Sequence, residues 1–88
     1  MRDKQIEKAV ALRYDSEKDA APKVTAKGQG LIAERIRALA KESNVPLQQD
    51  QILVDYLMAL DLLEEIPADL YHVVAEIMAF VYSMDKKY

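Results

Sequence analysis

The sequence predicts an α/β fold: one small domain with a short, mixed sheet flanked by three main helices. Three observations carry that prediction. Apolar residues alternate over short runs near the start, as strands require, and beyond Gly30 they recur at helical spacing almost to the end. A length of 88 residues leaves room for a single domain, near the lower limit of independent stability. With 51% apolar residues and only two glycines and three prolines, the chain can still pack a core.

Ala9-Val10-Ala11-Leu12-Arg13-Tyr14 alternates, with Val10, Leu12 and Tyr14 on one face and the small Ala9 and Ala11 on the other, a first strand coverable on both sides. Asp15-Ser16-Glu17-Lys18-Asp19-Ala20-Ala21-Pro22 is polar and ends in proline, so it reads as a loop. Lys23-Val24-Thr25-Ala26-Lys27 alternates again as a second strand, and Gly28-Gln29-Gly30 marks the turn into a helix. That helix sets Ile32, Ile36, Leu39 and Ala40 at core spacing, with Glu34, Arg35, Arg37, Lys41 and Glu42 outward. Ser43-Asn44 stops it, because both side chains compete for local backbone hydrogen bonds.

Val45-Pro46-Leu47 fits a third short strand, its proline at the first position or on an edge. Asp50 is the expected N-cap of a second helix through Leu53, Leu57 and Leu60. The third helix opens with Pro67 at its first position and Asp69 at the positive end of its dipole, and runs to Met84. It carries two apolar stripes: Leu70, Val73, Val74, Ile77, Val81 and Met84, and beside them Tyr71, Ala75, Met78 and Tyr82. Packing on one side of a small sheet needs only one. Either a neighbouring helix covers the second, or part of it forms a shallow partner-binding surface suited to adaptable Met and amphipathic Tyr.

Charge and composition exclude several function classes. Residues 1–44 hold 10 Lys/Arg and 7 Asp/Glu, residues 45–88 hold 2 and 8, and the chain carries −3 overall. The basic residues are interspersed with acids and lack interleaved aromatics, so they describe a solvated surface and not a nucleic-acid footprint. Without cysteine there is no disulfide or thiolate metal site. No apolar run approaches the roughly 18–20 residues that cross a bilayer, and Met1-Arg2-Asp3-Lys4-Gln5 has no apolar signal core. A cytoplasmic protein is expected.

Catalytic constellations are equally thin. Gly28-Gln29-Gly30 lacks the third glycine of a dinucleotide fingerprint and the Gly-Lys-Ser/Thr of a P-loop, which leaves a strand-to-helix turn. His72 shares a helical strip with Asp69 and Glu76, but that strip is the helix's only polar face, so a solvent-facing histidine is expected. Glu64-Glu65 precedes a helix, where acids favour the dipole. No serine has a His-and-acid partner set. The chain reads as no enzyme, with no catalytic, cofactor or metal residues.

Four segments resemble one family in register. Ala9-Val10-Ala11-Leu12-Arg13-Tyr14-Asp15, Ala21-Pro22-x-Val24-x-Ala26-Lys27-Gly28 and Ala33-Glu34-Arg35-Ile36-Arg37 look like successive parts of the cytoplasmic domain of FlhB-type export-switch proteins. After Val45-Pro46, the run from Ile66-Pro67 through Leu70-Tyr71 and Val74-Ala75-Glu76-Ile77-Met78-Ala79-Phe80-Val81-Tyr82 resembles that domain's last helix. The likeness covers residues 9–82, with Leu63 where the family often has glycine.

The resemblance implies a component of the flagellar or virulence type III export apparatus. Its members cut themselves at an Asn-Pro-Thr-His loop, where an Asn side chain attacks its own backbone carbonyl. Here that place holds Lys4-Gln5-Ile6-Glu7, so no self-cleavage is expected, and the chain looks like a standalone, post-cleavage-like copy without the membrane helices or first strand. The family's shallow substrate-binding patch corresponds to Ala21, Pro22, Ala75 and Met78. The expected role is a non-enzymatic interaction module, peripheral to the inner-membrane apparatus. It would bind export substrates or cytoplasmic export components as a monomer or weak homodimer, with no nucleic acid and no membrane insertion. The rival readings are a domain that docks on and completes a truncated full-length homologue, and a cytoplasmic adaptor unrelated to export.

Overall fold

The computed structural model describes residues 6–15 and 17–85, with side chains described as far as Met78. Strand β1 (Lys8–Arg13) pairs antiparallel with β2 (Lys23–Gln29), in a register running from Lys8 opposite Gln29 to Arg13 opposite Lys23. The ladder continues past both strands, where the Gly30 N–H donates to the Glu7 carbonyl at 2.8 Å. A bulge between Ala11 and Leu12 shifts the register by one residue. Three helices follow: α1 (Leu31–Glu42), α2 (Gln51–Met58) and α3 (Tyr71–Asp85), the last preceded by a 3-10 turn at Ala68–Leu70.

The two faces of the hairpin take different helices. A Cβ placed on Gly28 would lie 2.1 Å from Ile32 Cγ2, so α1 sits against the face shared by Gly28 and its partner Ala9. Val10 and Leu12 point the other way. They pack on the core cluster of Ala21, Leu53, Leu57, Ile66 and Val74, together with Leu60, Leu70, Ile77 and Met78. On that same face Lys27 reaches the end of α2, donating from Nζ to the Met58 carbonyl at 3.0 Å and to the Leu60 carbonyl. The result is three layers, helix–hairpin–helices, with the core between the hairpin, α2 and α3.

The helix boundaries have local causes. Gly30 precedes α1 at φ +65°, a conformation that favours glycine. Helix α1 ends where Asn44 turns left-handed (φ +59°): its N–H donates to the Lys41 carbonyl and the Val45 N–H to the Ala40 carbonyl, a Schellman closure. The Asp50 carboxylate accepts the Leu53 N–H at 3.0 Å, so the expected N-cap of α2 is in place. Pro67 is extended and stands just ahead of the 3-10 turn, one step outside the expected first helical position.

The sheet differs from expectation: among the described residues it is two-stranded and antiparallel instead of mixed. Val45-Pro46-Leu47 forms no ladder among the described residues. Val45 has given its N–H to the α1 cap, Pro46 has none, and the Val45 and Leu47 side chains are exposed, so nothing draws the segment onto the sheet. The third piece of backbone on the sheet is instead residues 63–66. Leu63 N–H donates to the Val24 carbonyl, Val24 N–H to the Glu64 carbonyl, and Glu65 bridges Lys23.

Candidate protein-docking site

The connection between β1 and β2 is ordered by a single buried carboxylate. The Asp19 side chain is only 3% exposed and accepts the Asp15 N–H at 3.0 Å, while Arg13 and Lys23 each approach it to 3.6 Å. The Asp15 carbonyl in turn accepts the Lys18 and Asp19 N–H groups, and its carboxylate accepts the Glu17 N–H. The Asp15 N–H above all, with Arg13 and Lys23 adding to it against desolvation, holds the Asp19 carboxyl below the usual carboxylate range. This hydrogen-bonded turn leads the chain into Ala20-Ala21-Pro22.

From there the backbone is clamped to the start of α3. The Pro22 carbonyl accepts the Ile66 N–H at 3.0 Å, and Ile66 is itself buried just before Pro67. The 3-10 turn and helix α3 together lay Leu70, Val74, Ile77 and Met78 on the core, a strip at i, i+4, i+7 and i+8. That strip combines members of both stripes read from the sequence. Val73, expected inside, is 41% exposed on one flank; Met78, on the stripe that either a helix or a partner could cover, packs against the core. The other flank carries Tyr71, 45% exposed, and Ala75, also exposed, which continue the apolar surface from Met78 outward.

The four expected docking residues therefore separate. Ala21 is 2% exposed and belongs to the core, so no partner can touch its side chain in this conformation; its small size serves close packing beneath α3. Pro22 is half-buried beside Ile66, Met78 is half-buried, and Ala75 faces solvent. Tyr71 joins them on the same flank. Val81, Tyr82 and Met84 fall outside the described side chains, as Lys4 and Gln5 fall outside the described residues. In the sequence the one sign of this carboxylate is the Asp19-x-x-x-Lys23 spacing, across a loop that otherwise looks solvated.

The remaining polar candidates have structural partners. Gly28 and Gly30 answer a close approach and a left-handed turn, and the Gly30 N–H is bonded to Glu7, not aimed at an anion. His72 pairs with Glu76 at 3.0 Å on an exposed face, apart from Asp69. Glu64 accepts the Asp61 N–H at 2.8 Å, closing a turn, while Glu65 lies beside Lys23 in the bridge. Among the described residues no group of three His, Asp or Glu side chains could hold a metal ion. What is left on this side of the molecule is the apolar flank of α3 at Tyr71 and Ala75.

Known proteins share this fold. The sequence profile of the FlhB HrpN YscU SpaS family matches residues 6–81. The chain belongs to this family. It is 47% identical over 81 residues to YlqH of Bacillus subtilis (strain 168), spanning 92% of this chain and 87% of YlqH. To the flagellar biosynthetic protein FlhB of Borreliella burgdorferi it is 46% identical over 81 residues, spanning 91% of this chain and only 22% of that FlhB. Among solved structures, the PscU C-terminal domain superposes with a TM-score of 0.79 at 30% identity, covering 85% of this chain and 96% of PscU's. A mutated EscU C-terminal domain has the same fold, with a TM-score of 0.82 at 23% identity over 86% and 93% of the two chains. The chain is thus an FlhB-like domain of the flagellar and type III export class. Among its described residues no helix is long and apolar enough to cross a membrane.

Proposed function

We propose that this FlhB-like domain is a non-enzymatic interaction module of the flagellar or type III export apparatus, cytoplasmic and peripheral to the membrane components, and that it binds export substrates or export-apparatus proteins. The observation that carries the reading is the flank of α3 where Tyr71 and Ala75 continue the apolar surface outward from Met78. Tyrosine and methionine offer contact area that adapts to varied partners, and the small Ala75 leaves room for an incoming side chain. Ala21 supports the site from beneath; Pro22 supplies a rim without an N–H to satisfy.

Binding of purified export substrates and export-apparatus domains to the parent and to Ala75→Glu tests this reading. A tenfold or greater loss of affinity with an unchanged melting temperature supports it. Equal binding by a normally folded variant moves the site elsewhere, and no binding by the parent to any export protein removes the reading.

A further inference from the structure

Among the described residues the outer edge of β1 has no hydrogen-bonded neighbour. Because the Glu7 carbonyl faces β2, alternation turns the main-chain groups of Ala9 and Ala11 toward β2 and those of Lys8 and Val10 away. The bulge lies on β2, so β1 keeps its alternation. Leu12 also faces away, opposite a Val24 whose own N–H and carbonyl bond to residues 63 and 64. No described residue hydrogen-bonds the outward groups of Lys8, Val10 or Leu12. The far edge of the hairpin differs, since residues 63–66 close it along Val24. An unprotected edge strand is a template for another strand.

We infer that this edge pairs antiparallel with β1 of a second copy of the chain, about a two-fold axis at Val10, joining two hairpins into one continuous sheet. The side-chain pattern selects this occupant and register. With Val10 opposite Val10 of the second copy, Lys8 meets Leu12, Ala9 meets Ala11, and Glu7 meets Arg13, so within residues 7–13 every charge faces an opposite charge or an apolar group. Ile6, 62% exposed, comes opposite Tyr14, 36% exposed, at both ends, which covers apolar side chains that have little cover in one chain. All the outward groups of Lys8, Val10 and Leu12 find partners. Sliding the axis to Ala11 sets Glu7 against Asp15, like against like; sliding it to Ala9 sets Leu12 against Ile6 but leaves Arg13 opposite Gln5, without its Glu7 partner. The interface is isologous, as closed two-fold assembly requires.

The test uses the full chain in two forms. In the parent, hydrogen exchange followed against concentration, with mass from sedimentation, reads the edge directly. The Lys8, Val10 and Leu12 amides should slow at least tenfold as mass doubles, while those of Ala9 and Ala11, already bonded to β2, stay unchanged. The second form is Ile6→Cys/Tyr14→Cys, in a protein with no cysteine of its own. Eight residues apart, on either side of the extended β1, the two thiols are roughly 26 Å from each other and cannot close within a chain. Mild oxidation should give a reducible covalent dimer, and the single-cysteine forms should not give the doubly bridged product. A chain that stays monomeric at millimolar concentration overturns the inference, whether its edge amides exchange freely or are protected by other parts of the molecule. A dimer with no bridged product overturns the register.

Discussion

Gly28 and Ile32 touch so closely that residue 28 has no room for a side chain: an added Cβ would meet Ile32 Cγ2 at 2.1 Å and Ile32 Cβ at 2.7 Å. The second contact is the stem of a β-branched residue, which cannot swing aside without moving the start of α1. Gly28→Ala should therefore destabilise by about 1–3 kcal/mol, the usual cost of overpacking. In a domain this size each 1 kcal/mol lowers the melting temperature by roughly 4–8 °C. Calorimetry checks it, and an unchanged melting temperature would mean α1 is free to shift off the hairpin.

Leu63 is strained in the opposite sense. It holds φ +68°, a left-handed conformation costly for leucine, with its side chain 66% exposed and its N–H bonded to the Val24 carbonyl. Leu63→Gly removes the strain, loses little packing, and gives back part of the gain through the freer unfolded chain. A net stabilisation of about 0.5–1 kcal/mol is expected. Denaturant melts that show Leu63→Gly weaker than the parent would assign the leucine a packing role.

Asp19 sets part of the acid limit. A carboxyl whose folded pKa lies below its unfolded one stabilises the fold above the unfolded value, and that contribution disappears as pH falls through the folded value. Asp19 meets this condition, and so does Glu7, held down first by its hydrogen bonds from Arg37 at 2.6 and 3.0 Å. Melting temperature should hold above the ordinary aspartate range and drop below about pH 4. Asp19→Asn should start lower and show a shallower acid drop, with the remainder from Glu7 removed by a second change, Glu7→Gln. A single variant with the parent's full pH slope would take Asp19 out of the account.

Two positions on α3 should separate surface from core. Ala75→Glu is expected to fold within about 0.5 kcal/mol of the parent, whereas Met78→Glu, placing a carboxylate against the core cluster, should cost about 1–3 kcal/mol. Parallel urea titrations decide. Equal, large losses would put Ala75 inside as well.

The chain should also remain whole. It contains no Asn-Pro step, and Lys4-Gln5-Ile6-Glu7 offers no side-chain carboxamide poised before a proline. Intact mass after prolonged incubation is expected to be unchanged; a defined fragment beginning near Gln5 would contradict this.

Where local chemistry decides local structure, the sequence was readable. The alternation in both strands, the Asp50 cap and the glycine turn all depend on near neighbours, and all are found. The third strand failed because Val45 fits a strand equally well whether or not a helix cap has taken its amide. Helix α3 was ambiguous for another reason: nearly every position around it is apolar, so only contact with the hairpin and α2 selects Leu70, Val74, Ile77 and Met78. Ala21 and Asp19 illustrate the same limit at the candidate site. A small residue and an acid in a polar loop look solvated until the turn closes over them.

The Lys27 ammonium on the Met58 and Leu60 carbonyls bears on the order of folding events. Helix α2 has eight residues, too few to persist alone in water, and no basic residue of its own in the last turn. The cation that satisfies its terminal carbonyls is carried by β2, 31 residues earlier in the chain than Met58. Helicity in α2 thus waits on the hairpin, and the two elements should gain and lose protection together as one cooperative unit.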